Sequence, residues 1–135
     1  MAVKIIFGGF ARPSFDVKQD NYDTTFNAGQ VMTIDASDNT IVKADNTTTG
    51  LVGIALDYKL NEKQDTTKGS KKGAIVIDPA VIESDQVASG ISPAANDTLY
   101  IDADGNITTA TGSLKIGKAI SYSSGKLTFL FDPQY

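Results

Sequence analysis

The fold of this chain is decided by the stretch LYIDADGNITTA at residues 99–110. Apolar and polar residues alternate on both sides of Asp104-Gly105, which is the pattern of two half-buried strands. An Asp-Gly pair between alternating strands is a strong hairpin signal, because both central residues of the favoured two-residue turn have positive φ. The stretch therefore predicts a β-hairpin with its turn at Asp104-Gly105.

The middle of the chain carries the same pattern. Residues 31–44, VMTIDASDNTIVKA, again predict two strands around a polar turn. In both copies the hairpin leads into a short strand with glycine in second place, VGIA at 52–55 and IGKA at 116–119. Each copy then ends on an apolar run closed by Asp-Pro, IVIDP at 75–79 and FLFDP at 129–133. This internal hairpin-plus-strand repeat predicts an all-β domain, either a small β-sandwich or a β-barrel-like body.

The composition limits the chemistry that the chain can perform. It has 135 residues, no Cys, His or Trp, and a net charge of −4. A chain of this length forms one domain, and its charge argues against nucleic acid as a partner, since phosphate binding needs clustered Lys and Arg. Disulfides, thiolate metal sites and Cys nucleophiles are excluded, and the commonest zinc ligand is missing. We predict that the protein is not an enzyme and binds no cofactor.

Signals for export or membrane insertion are also missing from the sequence. The apolar part of residues 1–10 is too short for a secretory signal, and no apolar stretch approaches the roughly 20 residues that a membrane helix needs. We predict that the protein has no membrane partner, is made in a cytoplasm, and remains there unless a larger particle carries it out.

Residues 1–28 differ from the rest of the chain. They hold four of its six Phe residues, together with Gly8-Gly9 and Pro13, and follow neither a helical nor a strand period. We interpret them as an extended N-terminal arm, lying either on its own body or on a neighbour, and residues 29–135 as the β-rich domain. Buried aromatic residues dominate interface energetics. The arm residues that we expect to contact a partner are Ile5, Ile6, Phe7, Phe10, Phe15, Tyr22 and Phe26.

The predicted core comes from the paired strands. Its members are the apolar residues Val31, Ile34, Leu51, Ile54, Ile75, Ile77, Leu99, Ile101, Ile116, Leu127, Phe129 and Phe131. Residues 59–73 are polar apart from Leu60 and predict a long exposed loop or a wide hairpin. Residues 81–90 are ambiguous, because Ser84 could cap a single helical turn through Val87, which Gly90 and Pro93 would limit.

Two groups of acidic residues could carry chemistry, and each has a plainer explanation. Residues 102–106 resemble the start of a calcium loop, but Ser113 stands where a bidentate Glu would be needed, and the flanks are strands. Glu83 and Asp85 form a close acid pair without the aromatic platforms of a glycosidase. We interpret the first group as a turn and the second as solvated charge, and we predict no metal site.

The order and spacing of these motifs resemble those of a known family. The sequence AGQV at 28–31 begins the first strand, and LVGIAL follows at 51–56 before a Val/Ile-rich strand. The second unit reads NDTLYID at 96–102, then Asp-Gly and IGKA at 116–119, and closes on an apolar C-terminal strand. Over residues 28–131 the chain resembles the small capsid decoration proteins of tailed bacteriophages, also called cement or head-stabilising proteins. The arm lies outside the resemblance.

The resemblance implies a small β-rich protein that binds the outer surface of an icosahedral head after the head expands. Such a protein strengthens the head against internal DNA pressure. The implied partners are the major capsid protein and the protein itself, as a homotrimer at threefold or local threefold positions. The implied location is the capsid outer surface of the virion, after synthesis in the host cytoplasm.

The alternative function is that of a carbohydrate- or cell-surface-binding β-module of a phage tail or adhesin. Such a module needs a glycan-binding face with aromatic platforms, and the body offers Tyr58, Tyr100 and Tyr122 for it. A glycan array and co-sedimentation with purified empty heads discriminate between the two functions.

Overall fold

The computed structural model describes residues 3–16, 27–37, 39–57 and 72–135. In chain order the strands are β1 (Val3–Gly8), β2 (Ser14–Asp16), β3 (Val31–Asp35), β4 (Thr40–Lys43), β5 (Val52–Asp57), β6 (Lys72–Val76), β7 (Ala80–Ser84), β8 (Thr98–Ile101), β9 (Ile107–Thr108), β10 (Gly117–Ser123) and β11 (Lys126–Phe131). The described ranges contain no helix, and hence none with the length and apolar character to cross a bilayer. The prediction of an all-β domain is confirmed.

The strands form two antiparallel sheets. Sheet 1 has six strands in the order β1-β7-β11-β10-β8-β9, and sheet 2 has five in the order β2-β6-β5-β3-β4. Each sheet holds one copy of the predicted repeat, β3 to β6 in sheet 2 and β8 to β11 in sheet 1. The strand order within the two copies is the same. It is β6-β5-β3-β4 in sheet 2 and β11-β10-β8-β9 in sheet 1.

The two copies also share their register. Gly53 lies opposite Met32 in sheet 2, and Gly117 lies opposite Leu99 in sheet 1. A β-bulge interrupts β5 and β10 at the same place, directly after the final alanine of the VGIA and IGKA motifs. A Cβ atom at either glycine would collide with a carbonyl oxygen of the next strand, which explains why both copies keep glycine there.

The turn of the second hairpin differs from the prediction. Only Gly105 of the Asp-Gly pair has a positive φ, +83°. The Asp102 carboxylate closes a longer turn, because its Oδ1 accepts hydrogen bonds from the backbone N–H groups of Asp104 at 2.8 Å and Asn106 at 2.9 Å. The two-residue turn with positive φ at both positions lies at Ser124-Gly125, between β10 and β11. The hairpin prediction is confirmed, and its predicted turn type is wrong.

The main core lies between the two sheets. One cluster of buried side chains joins Val31, Ile54 and Val76 of sheet 2 to Leu99 and Phe129 of sheet 1. A second cluster of fully buried side chains lies on the opposite face of sheet 2: Met32, Ile41, Ala55 and Ile75. Sheet 2 is therefore buried on both faces, whereas sheet 1 buries the face that meets sheet 2.

Most of the predicted core residues are fully buried, and one prediction is wrong. Leu51 is 41% exposed, because it precedes β5 rather than forming part of it. Ile34 and Ile77 are half-buried at the margin of the second cluster. The predicted residues that are 0–2% exposed are Val31, Ile54, Ile75, Leu99, Ile101, Ile116, Leu127, Phe129 and Phe131.

The structure decides one of the two segments whose secondary structure was left open, the possible helical turn at Ser84. The helical turn considered for residues 84–87 does not form, because Ser84 ends β7. Its hydroxyl donates to the Gly29 carbonyl at 3.1 Å and accepts from the Gln86 N–H at 3.1 Å. The predicted loop at residues 59–73 lies almost wholly outside the described residues.

The described part of the N-terminal arm lies on its own body. β1 pairs with β7 at the edge of sheet 1, and β2 pairs with β6 at the edge of sheet 2. Between them, Gly8 and Gly9 turn the chain with φ of +75° and +66°. Asp78 then accepts the backbone N–H groups of Phe10 at 2.8 Å and Ala11 at 3.0 Å. Residues 17–26 lie outside the described residues.

Candidate interaction surface

The outward face of sheet 1 carries a row of side chains that crosses four neighbouring strands. In β7 every second residue is buried, so Val81 between them points away from the core. The register places Phe7 of β1 and Leu130 of β11 on either side of Val81. Lys118 of β10 lies opposite Leu130 and continues the row.

Much of this row is exposed and apolar. Phe7 is 75% exposed and Leu130 is 38% exposed. Two further apolar side chains lie at the β-bulges beside the row, Ile6 at 49% exposure and Ile120 at 47%. We call Ile6, Phe7, Val81, Ile120 and Leu130 the apolar stripe. Single exposed apolar residues are ordinary, but a contiguous exposed group marks an interaction site.

The arm residues predicted to contact a partner are not all at the surface. Ile6 and Phe7 belong to the apolar stripe, and Phe10 is 84% exposed just beyond β1. Ile5 points the other way and packs against the protein's own core. The remaining predicted residues have side chains outside what the structure describes: Phe15, Tyr22 and Phe26.

The sequence analysis missed the part of the stripe that lies beyond the arm. Leu130 stands between Phe129 and Phe131, which are both fully buried. Because side chains alternate along a strand, a residue between two inward Phe residues must point outward, and this signal was available. Ile120 could not be found in this way, since the β-bulge in β10 breaks the alternation.

A pocket of about 270 Å³ opens at the Lys118 end of the row. Its lining residues are Thr98, Lys115, Gly117, Lys118, Leu130, Asp132 and Gln134. The Lys118 ammonium donates to Thr98 Oγ1 at 2.6 Å, and the Gln134 N–H donates to the Lys115 carbonyl at 2.9 Å, which fixes the C-terminal tail beside the pocket. Because Leu130 belongs to both the pocket and the apolar stripe, the two form one continuous surface.

The acidic residues that the sequence analysis singled out are engaged within the protein. Asp102 closes its hairpin turn, and Glu83 lies 3.9 Å from the Lys126 ammonium. Asp85 Oδ1 accepts a hydrogen bond from Gln86 Nε2 at 2.6 Å. In the part of the chain that the structure describes, no group of three or more acidic side chains is placed to hold a metal ion.

The tyrosines that a glycan-binding face would use are not exposed platforms where the structure describes them. Tyr122 packs partly against the main core, and Tyr100 is half-buried in β8. Tyr58 lies outside the described residues. The described tyrosines of this set therefore add nothing to the alternative function.

No family model, curated protein or solved structure matches the chain. The function is therefore proposed from the outward face of sheet 1 together with the sequence resemblance.

Proposed function

We propose that the protein is a capsid decoration protein that binds the outer surface of an icosahedral phage head and stabilises it. The apolar stripe carries the proposal, because it leaves four large apolar side chains exposed on a fold that has a well-packed core of its own. Apolar surface of this kind is stabilised when a partner covers it. The sequence resemblance supplies the partner, the major capsid protein.

The expected strength of the contact suits a protein that binds in many copies. Full burial of a Phe, Leu or Ile side chain contributes roughly 1.5–3 kcal/mol, and the side chains of the stripe are already partly covered. Part of this gain is offset by the cost of ordering the subunit on the shell. A homotrimer, which the resemblance implies, would present three stripes at once and gain affinity through avidity.

The proposed role requires neither catalysis nor a cofactor. The carboxylates of the two hairpin turns serve local structure, because the Oδ1 atoms of Asp35 and Asp102 accept backbone hydrogen bonds there. The protein is made in the host cytoplasm and resides on the capsid outer surface of the virion. It has neither nucleic acid nor a membrane as a partner.

Co-sedimentation with expanded empty heads tests this function. The heads are assembled from the major capsid protein encoded nearest to this chain. The wild-type protein is expected to pellet with the heads and to saturate them. The double variant Phe7→Ser/Leu130→Ser should bind about tenfold more weakly or worse, since it removes more than about 1.4 kcal/mol of apolar contact.

The matched control is Leu51→Ser, which removes a comparably exposed apolar side chain directly before β5 of the other sheet. It should bind like the wild type. Wild-type protein that fails to pellet, or equal binding by the double variant and the control, contradicts the proposal. A saccharide hit on a glycan array from a protein that ignores heads would replace it with the alternative.

A further inference from the structure

We infer that the pocket beside Leu130 binds a carboxylate of the partner polypeptide, an acidic side chain on an extended apolar segment that lies along the apolar stripe. The inference rests on the proposed function and deepens it, because it names the chemistry of the segment that the capsid protein presents. A pocket of about 270 Å³ is small for a drug-sized ligand and suits a single side chain.

Two lysines line the pocket, Lys115 and Lys118. Lys118 donates to a neutral hydroxyl, Thr98 Oγ1, and in the described part of the chain neither Lys118 nor Lys115 forms an ion pair. A carboxylate between them would accept charge-assisted hydrogen bonds, which are shorter and stronger than neutral ones. Both lysines therefore retain capacity for a bound anion.

The internal repeat shows that this row of sheet 1 differs from its counterpart in sheet 2, which is a packing surface. The equivalent row of sheet 2 is fully buried in the main core: Val31, Ile54 and Val76. In sheet 1 the same register positions line the pocket: Thr98, Lys118 and Leu130. Two of the three positions are polar in sheet 1 and the third is apolar, so this row matches a segment that is itself part apolar and part charged.

The aspartates of the two Asp-Pro ends also differ between the copies: Asp78 is engaged within the protein, and Asp132 lines the pocket. In the first copy Asp78 accepts the N–H groups of Phe10 and Ala11. In the second copy the neighbouring strand β7 is preceded by Pro79, which has no N–H to donate. In the described part of the chain the Asp132 carboxylate accepts no hydrogen bond, and it lines the pocket wall. It can accept the backbone N–H of the bound segment.

The charges of the pocket favour an anion. Two lysines and one aspartate line it, which leaves one net positive charge on a protein whose net charge is −4. An exposed ion pair contributes only about 0.2–1 kcal/mol, or a factor of roughly 1.4 to 5 in affinity. The carboxylate therefore adds selectivity to a contact whose main strength is apolar.

Titration of ¹⁵N-labelled protein with two short peptides tests the inference without any capsid. The probes are acetyl-Leu-Val-Glu-amide and its neutral isostere acetyl-Leu-Val-Gln-amide. The Glu peptide should shift the amide signals of Lys118, Leu130 and Gln134 saturably and bind about fivefold more tightly than the Gln peptide. The variant Lys115→Gln/Lys118→Gln should lose this preference.

The control variant is Lys126→Gln, which removes an exposed lysine from the outward face of the same sheet but outside the pocket. It should keep the preference for the Glu peptide. Equal binding of the two peptides to the wild type, or signal shifts that map away from the pocket, overturns the inference. Wild-type protein that prefers the Glu peptide but does not bind heads supports the pocket and refutes the proposed function.

Discussion

The two repeats have the same strand order and register, but the same row of positions meets different surroundings in each. In the first repeat the row is buried between the sheets: Val31, Ile54 and Val76. In the second repeat the row lies on the outward face and lines the pocket: Thr98, Lys118 and Leu130. The same backbone unit therefore occurs once with this row facing the core and once with this row facing outward.

The N-terminal segment adds to this difference. It forms one edge of each sheet, and its contact with Asp78 ties it to the end of the first repeat. In sheet 1 it contributes Phe7, which pairs with Val81 of β7 and extends the outward row. This row of the first repeat is thus buried in the core, and the same row of the second repeat is exposed and available to a partner.

The largest expected effect on stability comes from exchanging the residue types at one pair of equivalent positions, Ile54 and Lys118. Ile54→Lys should lower the free energy of unfolding by about 4 kcal/mol or more, because it places an unpaired charge in the core. Lys118→Ile, at the equivalent position of sheet 1, should change it by less than about 1 kcal/mol. Urea denaturation followed by circular dichroism measures both, and similar losses would contradict the assignment of inner and outer layers.

Two neighbours on one strand sharpen the comparison within sheet 1. Phe129→Ala should cost about 3–5 kcal/mol of stability, since it leaves a cavity in the core. Leu130→Ala should cost less than about 1 kcal/mol and should weaken head binding instead. Urea titration and co-sedimentation separate the two outcomes, and a Leu130 variant that is as unstable as the Phe129 variant would refute an outward role.

Replacing the aspartate with alanine should lower stability more at Asp78 than at Asp132. Asp78→Ala removes the acceptor of two backbone N–H groups and should cost about 1–2 kcal/mol. Hydrogen exchange at Phe10 and Ala11 should accelerate in this variant. Asp132→Ala should change stability by less than about 0.5 kcal/mol. Unchanged exchange at Phe10 and Ala11 would show that Asp78 does not hold the arm.

The smallest effect concerns acid sensitivity of the first repeat. Hydrogen bonds from the hydroxyl and backbone N–H of Thr47 hold the pKa of Asp45 below its ordinary value. The stabilisation from Asp45 is therefore fully present above its unfolded pKa of about 3.9 and is lost as the pH falls through the lower folded value. The second repeat has Thr111 at the position equivalent to Asp45 and therefore lacks this stabilisation. Asp45→Asn should flatten the loss of stability below about pH 4, and urea midpoints at pH 3 and pH 7 measure it.

Alternation and repetition predicted a large part of the fold. The period-2 pattern identified both hairpins, and the matched motifs identified the repeat. The strand order within each copy was not predicted, because the glycine strand pairs non-locally with the first strand of the hairpin. The turn type at Asp104-Gly105 could not be predicted from the pair alone, since the Asp102 carboxylate competes for the same backbone N–H groups. Which face of each repeat is buried depends on how the sheets stack, and that is a property of both copies together.

The interaction surface was predicted less completely than the fold. Composition drew attention to Phe7 and Phe10, but aromatic content alone does not tell which side of an edge strand faces outward. Ile5 faces the core because its partner in β7 does, and that pairing is non-local. The pocket was not predicted, because it joins Lys115 and Lys118 to Gln134, and their contact is non-local and carries no sequence motif.

The most direct test of the account is a cryo-electron microscopy reconstruction of expanded heads incubated with the protein. The account predicts density for the protein on the outer capsid surface, with the outward face of sheet 1 against the shell and Phe7 and Leu130 covered. Heads without such density, or bound protein whose sheet 1 faces solvent while sheet 2 meets the shell, would contradict it.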